Sequence, residues 1–136
     1  MIDLHQVPEV TDDELLARYI VFSKFIRNDQ TIKPGAFMPH PHRNLSVTRH
    51  LNAIEQELWA VGHHVAHFQN RSLYGRSDIQ AQDCAVSSLK VKSKPLPNNP
   101  NHADIEDWPE EKQDQKSIAL ELAAAASNLI PPPTIS

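Results

Sequence analysis

The sequence predicts an α+β fold: a single compact domain with about three helices packed on a small, mainly antiparallel sheet. Three segments repeat apolar residues at helical spacing, and two shorter ones alternate apolar and polar residues as strands do. The length of 136 residues is typical of one domain. We therefore assign residues 1–130 to this domain and predict that 131–136 form a flexible, proline-rich tail.

The first helix is predicted over residues 12–27. Thr11 and Glu14 have the spacing of a capping box, in which each side chain can satisfy an exposed amide at the helix start. The apolar residues repeat at helical spacing: Leu15, Tyr19, Phe22 and Ile26. The run from Tyr19 to Phe22 would also suit a strand, because aromatic and β-branched residues favour extended structure.

A short strand and a second helix are predicted next. Residues 45–48 alternate, so Leu45 and Val47 should face the core. The second helix should open at Asn52, with Glu55 completing a capping box. Gly62 could end this helix early, in which case residues 63–68 would form a strand.

Residues 71–94 have the pattern of β-structure, with a turn near Gly75 and weak alternation over 79–86. Residues 89–94 form a clear strand pattern whose lysines suit an edge strand. After a proline-rich loop at 95–100, a third helix should begin with Asp107 as its cap and end at Pro131–Pro133. Its expected apolar stripe is Ile118, Leu122, Ala125 and Leu129.

Composition narrows the class of protein. A formal net charge of −4 argues against bulk coating of nucleic acid, which needs a basic surface. The single cysteine, Cys84, permits no internal disulfide and no CxxC site, so we expect it to be a buried core residue in a reducing compartment. Neither a secretory signal nor a run long enough to span a membrane is visible. A soluble, cytoplasmic protein without membrane association is therefore expected.

Histidines are concentrated in one stretch, with six of the eight lying between His40 and His67. Histidine titrates near neutral pH and is the commonest metal ligand. A metal site built from His40, His42 and a histidine of 63–67 is one hypothesis. These residues lack the glutamate of an HExxH motif, and His63 should face solvent, so we assign no metal ligand.

An anion pocket is the leading hypothesis for this region. Arginine binds phosphate through two parallel hydrogen bonds, and the free amides at a helix start attract anions. Residues 43–50 lie at the end of a predicted strand and just before the predicted second helix. We expect the ligand-binding residues to be Arg43, Ser46, Thr48, Arg49 and Arg76.

His50 and His102 are the candidates for proton transfer. His50 should share one strand face with Ser46 and Thr48, while His102 lies in a polar, proline-bounded segment two residues before Asp104. A carboxylate beside a histidine can fix its tautomer for general base chemistry. The expected function is thus binding of, or metal-independent acid–base chemistry on, a phosphate-bearing or nucleotide ligand. No motif identifies a cofactor, which stays unknown.

A non-catalytic interaction module is the main alternative. The third helix carries small and apolar residues along one stripe, which could pack on a protein partner or on a second copy of the chain. That stripe consists of Ala119, Leu122, Ala123, Ala126 and Ile130.

Overall fold

A five-stranded antiparallel sheet organises the part of the chain that the computed structural model describes, residues 6–39 and 43–133. The strands are β1 (Leu15–Ile20), β2 (Leu45–Arg49), β3 (Gly75–Gln80), β4 (Lys90–Ser93) and β5 (His102–Glu106). The helices are α1 (Glu55–Phe68), α2 (Ala81–Val86) and α3 (Lys112–Ala125). The strand order is β3-β1-β2-β5-β4. This arrangement confirms the predicted single α+β domain.

One face of the sheet carries the main hydrophobic core. Because side chains alternate along a strand, Leu16, Val47 and Ile105 share this face, and Ala119 and Leu122 of α3 belong to the same buried cluster. A 3-10 turn over Pro34–Phe37 also packs against α3.

The opposite face is covered only in part, by α1. The Tyr19 hydroxyl donates to the carbonyl of Leu58 at 2.6 Å, and its ring lies against Gly62. These contacts lie over β1, whereas the part of this face formed by β2 and β5 carries polar side chains.

The predicted helix over 12–27 is wrong, because residues 15–20 form β1, followed by a 3-10 turn at Ser23–Phe25. The Thr11 amide does donate to Glu14 at 2.7 Å, as in a capping box. Six residue pairs with β3 nevertheless place the following residues in the sheet. Tertiary pairing therefore outweighs the helical periodicity here, and the strand alternative for Tyr19–Phe22 is correct for Tyr19 and Ile20.

Helix α1 starts later than expected and continues past Gly62. Ile54 is its N-cap, and the Ile54 amide donates to the Glu57 carboxylate at 3.0 Å, while Asn52 lies in a turn with φ 52°. The helix continues through Gly62 to Phe68. The absence of a side chain at Gly62 allows the close contact with the Tyr19 ring. The alternative strand at 63–68 is therefore wrong.

Three later boundaries also differ. The weakly alternating segment leaves the sheet after Gln80, where the Gln80 amide donates to the Asp83 carboxylate at 3.0 Å and α2 begins. Helix α3 begins at Lys112, because Asp107 has φ 68°, outside the helical region, and the helix ends at Ala125 and not at Pro131–Pro133 as predicted. The strand predicted at 89–94 is confirmed as β4, which covers Lys90–Ser93, and it is an edge strand. Of the predicted tail, residues 134–136 lie outside the described residues.

Candidate functional site

A divergence between β1 and β2 creates a pocket, called the principal pocket below because the predicted site residues Ser46, Thr48 and His102 line it. These strands share only two registered pairs, Leu16 with Arg49 and Ala17 with Thr48. Arg18 follows the last of these pairs, and its side chain bridges the gap. Its Nε donates to the carbonyl of Ala36 at 2.8 Å, and its Nη1 donates to the carbonyl of Ser46 at 3.0 Å. The guanidinium thereby satisfies a carbonyl that a longer β1–β2 ladder would have paired.

The pocket has a volume of about 110 Å³ and combines polar strand residues with an apolar wall. Its polar side is formed mainly by Arg18, Ser46, Thr48, Asn99 and His102. Phe22, Phe25 and Val65 contribute apolar surface. The structure thus brings together three of the predicted site residues, Ser46, Thr48 and His102.

Arg18 has hydrogen-bond donors left over for a ligand. A guanidinium has five N–H donors, and two of them bond to the carbonyls of Ala36 and Ser46. The remaining three have no acceptor among the described residues. No carboxylate of residues 6–39 or 43–133 lies within 4.0 Å of Arg18. Burial lowers the pKa of Arg18 to about 10, which leaves it charged at neutral pH. An anion bound in the pocket would pair with the charge of Arg18.

His102 is held in a defined orientation at the same pocket. Its Nδ1 lies 3.0 Å from the carbonyl of Lys94. A carbonyl can only accept, so Nδ1 carries a proton and Nε2 of the neutral ring carries the lone pair. Nε2 lies 3.6 Å from Oδ1 of Asp104, which also accepts from the Ser46 hydroxyl at 3.3 Å. This arrangement suits an imidazole that accepts a proton from a ligand and passes it back.

The loop before β5 is fastened on two sides. The buried side-chain amide of Asn99 donates to the Thr48 hydroxyl at 3.1 Å. Asn98 lies 2.8 Å from Nε2 of His64 on α1. These contacts fix the rim of the pocket. His102, predicted in a polar, proline-bounded segment, is the first residue of β5.

Arg49 has a structural role in place of the expected anion contact. Its side chain is 0% exposed. It donates to both Glu14 oxygens at 2.7 and 2.8 Å, to the carbonyls of Pro8 and Glu9, and to the Ser93 hydroxyl. These five bonds use all five of its donors, so none is left for a ligand. We leave Arg49 out of the proposed site.

Arg76 and His50 belong to a separate polar cluster. Arg76 bonds to both oxygens of Glu55 at 2.8 and 3.0 Å and to Asp78 at 3.2 Å. Its guanidinium lies 5.0 Å from the centre of the Trp59 ring. Hydrogen bonding to Arg76 lowers the pKa of Glu55 below its usual value. Nε2 of His50 lies 3.0 Å from the same Asp78. Carboxylates already neutralise Arg76, so this cluster offers an anion no uncompensated charge.

Arg43 lies apart from the pocket. Its side chain is 54% exposed and forms a 3.8 Å ion pair with Glu110. It borders a shallow polar depression with Trp108. Of the five predicted ligand-binding residues, Ser46 and Thr48 therefore line the principal pocket, whereas Arg43, Arg49 and Arg76 do not.

The histidine metal hypothesis rests partly on His40 and His42, which lie outside the described residues. Within residues 6–39 and 43–133, no group of three or more His, Cys, Asp or Glu side chains is placed to hold a metal ion. His63 is exposed on α1, as expected. No helix of this described part is both long and apolar enough to cross a membrane.

Arg18 is the residue that the sequence analysis missed. It interrupts the run LLARYI, which otherwise contains no charged residue. A lone arginine inside an apolar segment is a usable signal, because charged side chains are rarely buried without a partner. The sequence analysis considered only the apolar residues of this segment, so Arg18 was not weighed as a site residue.

Comparison of the chain with protein-family models, with curated proteins and with solved structures finds no significant match. The geometry of the pocket is therefore the basis for the function proposed next.

Proposed function

We propose that the principal pocket binds the phosphate group of a small ligand, with Arg18 as the anion-binding residue and His102 as the proton-transfer residue. The observation that carries this proposal is the guanidinium of Arg18, which lines a pocket with three unused donors and no carboxylate partner among the described residues. Phosphate oxygens match the planar fork of arginine, and Thr48 adds a hydroxyl donor, because its oxygen only accepts from Asn99 within the protein.

The pocket volume favours a phosphoryl group over a whole nucleotide as the enclosed part of the ligand. A water molecule occupies roughly 30 Å³ of liquid, so about 110 Å³ accommodates a group several waters in size. The rest of a larger ligand would extend past Phe22 and Phe25 at the pocket wall. Proton transfer would use the lone pair on Nε2 of His102. The Lys94 carbonyl would hold the ring, and Asp104 would stabilise the imidazolium formed when Nε2 gains a proton.

Binding of phosphate and of phenyl phosphate, measured by isothermal titration calorimetry, tests the role of Arg18. Charge-assisted hydrogen bonds contribute about 1.5–3 kcal/mol, so Arg18→Gln should weaken binding by about 10- to 100-fold. Arg43→Gln is the matched control, because it removes an exposed arginine outside the pocket, and it should leave affinity unchanged. Far-ultraviolet circular dichroism verifies that both variants fold. Equal affinity of wild type and Arg18→Gln would overturn the proposal.

Hydrolysis of p-nitrophenyl phosphate and bis-p-nitrophenyl phosphate tests the role of His102. We expect His102→Gln to abolish turnover with little change in melting temperature, because glutamine cannot exchange a proton as imidazole does. A variant as active as wild type would remove His102 from the mechanism. A wild-type protein that binds phosphate but hydrolyses neither ester would restrict the function to binding.

Assembly through α3 has less support. Ala119 and Leu122 of the expected interaction stripe are buried in the chain's own core, and Ala123 and Ala126 pack against that core. Ile130 pairs with Arg76 through backbone hydrogen bonds. The stripe is thus already covered within one copy of the chain.

A further inference from the structure

A second, more polar cleft adjoins the principal pocket. Val21 and Phe22 border both depressions, so the Phe22 side chain stands between them. The other residues that line the second cleft are Ser23, Asn70, Arg71, Ser72 and Tyr74. Three hydroxyls, an amide and a guanidinium therefore surround a space directly beside the proposed phosphate site.

The end of helix α1 fixes the position of Arg71. Asn70 has φ 55°, and its amide donates to the carbonyl of His67 at 3.0 Å. The Arg71 amide donates to the carbonyl of Ala66 at 2.8 Å. This pair of bonds is a Schellman motif, which satisfies carbonyls that the helix end leaves unpaired. The backbone of Arg71 is consequently rigid, and its side chain projects over Phe22.

Arg71 is exposed and, like the partly buried Arg18, has no carboxylate partner among the described residues. Its guanidinium carbon lies 4.5 Å from the centre of the Phe22 ring. No carboxylate of the described part of the chain lies within 4.0 Å of it. Lys24 adds a third cation, with its ammonium 5.4 Å from the centres of the Phe22 and Phe25 rings. A protein with a net charge of −4 thus has a local positive strip at this place.

We propose that the two clefts together bind one ligand with two phosphate groups, one at Arg18 and the other at Arg71. This inference rests on the proposed function of the principal pocket. The ligand class that fits is a short phosphodiester-linked oligonucleotide, because Tyr74, 40% exposed, offers an aromatic surface beside the second phosphate position. Proteins that bind single strands combine cations along the backbone with aromatic side chains under the bases.

Titration of a 5′-phosphorylated dinucleotide against the corresponding 5′-mononucleotide tests the inference. The dinucleotide has a second phosphate and should bind at least about tenfold more tightly, as expected from one further charge-assisted contact. Arg71→Gln should abolish this difference and leave mononucleotide affinity unchanged. Arg18→Gln should weaken both ligands, and Arg43→Gln, the exposed control, should weaken neither.

Failure of this inference is distinguishable from failure of the proposed function. If the dinucleotide binds no more tightly than the mononucleotide, or if Arg71→Gln leaves the difference intact, the second subsite is overturned. Loss of mononucleotide binding in Arg18→Gln would still support the first site. Two further measurements distinguish an oligonucleotide from a ligand that merely carries two phosphates. One is the binding of pyrophosphate, and the other is the binding of the dinucleotide by Tyr74→Leu. Dinucleotide binding that exceeds pyrophosphate binding and falls in Tyr74→Leu supports an oligonucleotide, whereas equal binding of both ligands overturns that assignment.

Discussion

Arg18, Arg49 and Arg76 all lie in the sheet, and their hydrogen-bond partners give them different roles. Arg49 uses all its donors within the protein, and Arg76 is neutralised by Glu55 and Asp78. Arg18 alone of these three bonds only to carbonyls, which do not neutralise its charge. Residue type alone therefore does not predict where an anion binds. The balance of charge around each guanidinium distinguishes Arg18 from Arg49 and Arg76.

Replacement of Arg49 should be the most damaging arginine substitution for stability. Arg49→Met would leave the carboxylate of Glu14, itself largely buried, without its partner, and loss of one member of a buried pair costs about 3–5 kcal/mol. Arg43→Met, which removes an exposed pair, should cost less than about 1 kcal/mol. Urea unfolding monitored by tryptophan fluorescence measures both free energies. Similar losses in the two variants would contradict the structural role of Arg49.

The same pair predicts a dependence of stability on pH. Burial raises the pKa of Glu14, but hydrogen bonds from Arg49 and Thr11 outweigh that effect, so the net pKa is below its ordinary value of 4.5. The unfolded chain then binds more protons than the folded chain in this acid range. Stability from this pair should be full above about pH 4.5 and decline as pH falls through the lowered pKa. Unfolding measured from pH 7 to pH 3 should show a weaker decline for Arg49→Met, and parallel curves would contradict the assignment.

At the scale of elements, helix α1 is constrained by its contact with β1 more than by its own propensity. Gly62 disfavours helix in isolation, yet the helix continues through it to Phe68. A Cβ atom at this position would lie 2.7 Å from a carbon of the Tyr19 ring. The Tyr19 hydroxyl also bonds to Leu58 on the same helix, so the ring has little freedom to move.

Gly62→Ala and Ala60→Gly therefore form an informative pair. Alanine exceeds glycine in helix propensity by about 1 kcal/mol, so propensity alone would make Gly62→Ala stabilising. We expect it to be destabilising by about 1–3 kcal/mol, because the added methyl group overpacks the interface with Tyr19. Ala60 is exposed, and Ala60→Gly should cost only the propensity difference. Thermal unfolding followed by circular dichroism checks both, and a stabilised Gly62→Ala would show that the Tyr19 contact relaxes freely.

For the whole molecule, the main core joins both ends of the described chain to the sheet. Leu16 near the start and Leu122 near the end lie in one buried cluster with Cys84 between them in sequence. Cys84 is 0% exposed, which confirms the expected buried position, and burial raises the pKa of its thiol to about 12. The thiolate required for reaction is therefore scarce at neutral pH in the folded protein.

Thiol labelling should consequently report opening of the core. We expect Cys84 to react with 5,5′-dithiobis(2-nitrobenzoic acid) many-fold more slowly in the native protein than in 6 M urea. The rate at intermediate urea should follow the fraction of open protein. Absorbance at 412 nm measures the single thiol without interference, because the chain has one cysteine. Native labelling as fast as that of the unfolded chain would show that the α2 region opens independently of the core.

Local patterns in the sequence were sufficient to predict the fold class, the alternation of β2, the edge position of β4 and the burial of Cys84. Each of these follows from local periodicity or composition, which act over a few neighbouring residues. Ser46, Thr48 and His102 were also predicted as site residues, the first two from strand alternation and the third from the nearby Asp104, and all three line one pocket.

Which arginine lines the pocket depends on contacts between segments that are far apart in the sequence. Residues 15–20 have apolar spacing that suits a helix, and their pairing with β3, about 60 residues later, places them in the sheet. The divergence of β1 from β2 then directs Arg18 into the gap. Glu14 neutralises Arg49 across 35 residues of sequence. Charge compensation depends on distance in space, so no local pattern distinguishes Arg18 from Arg49.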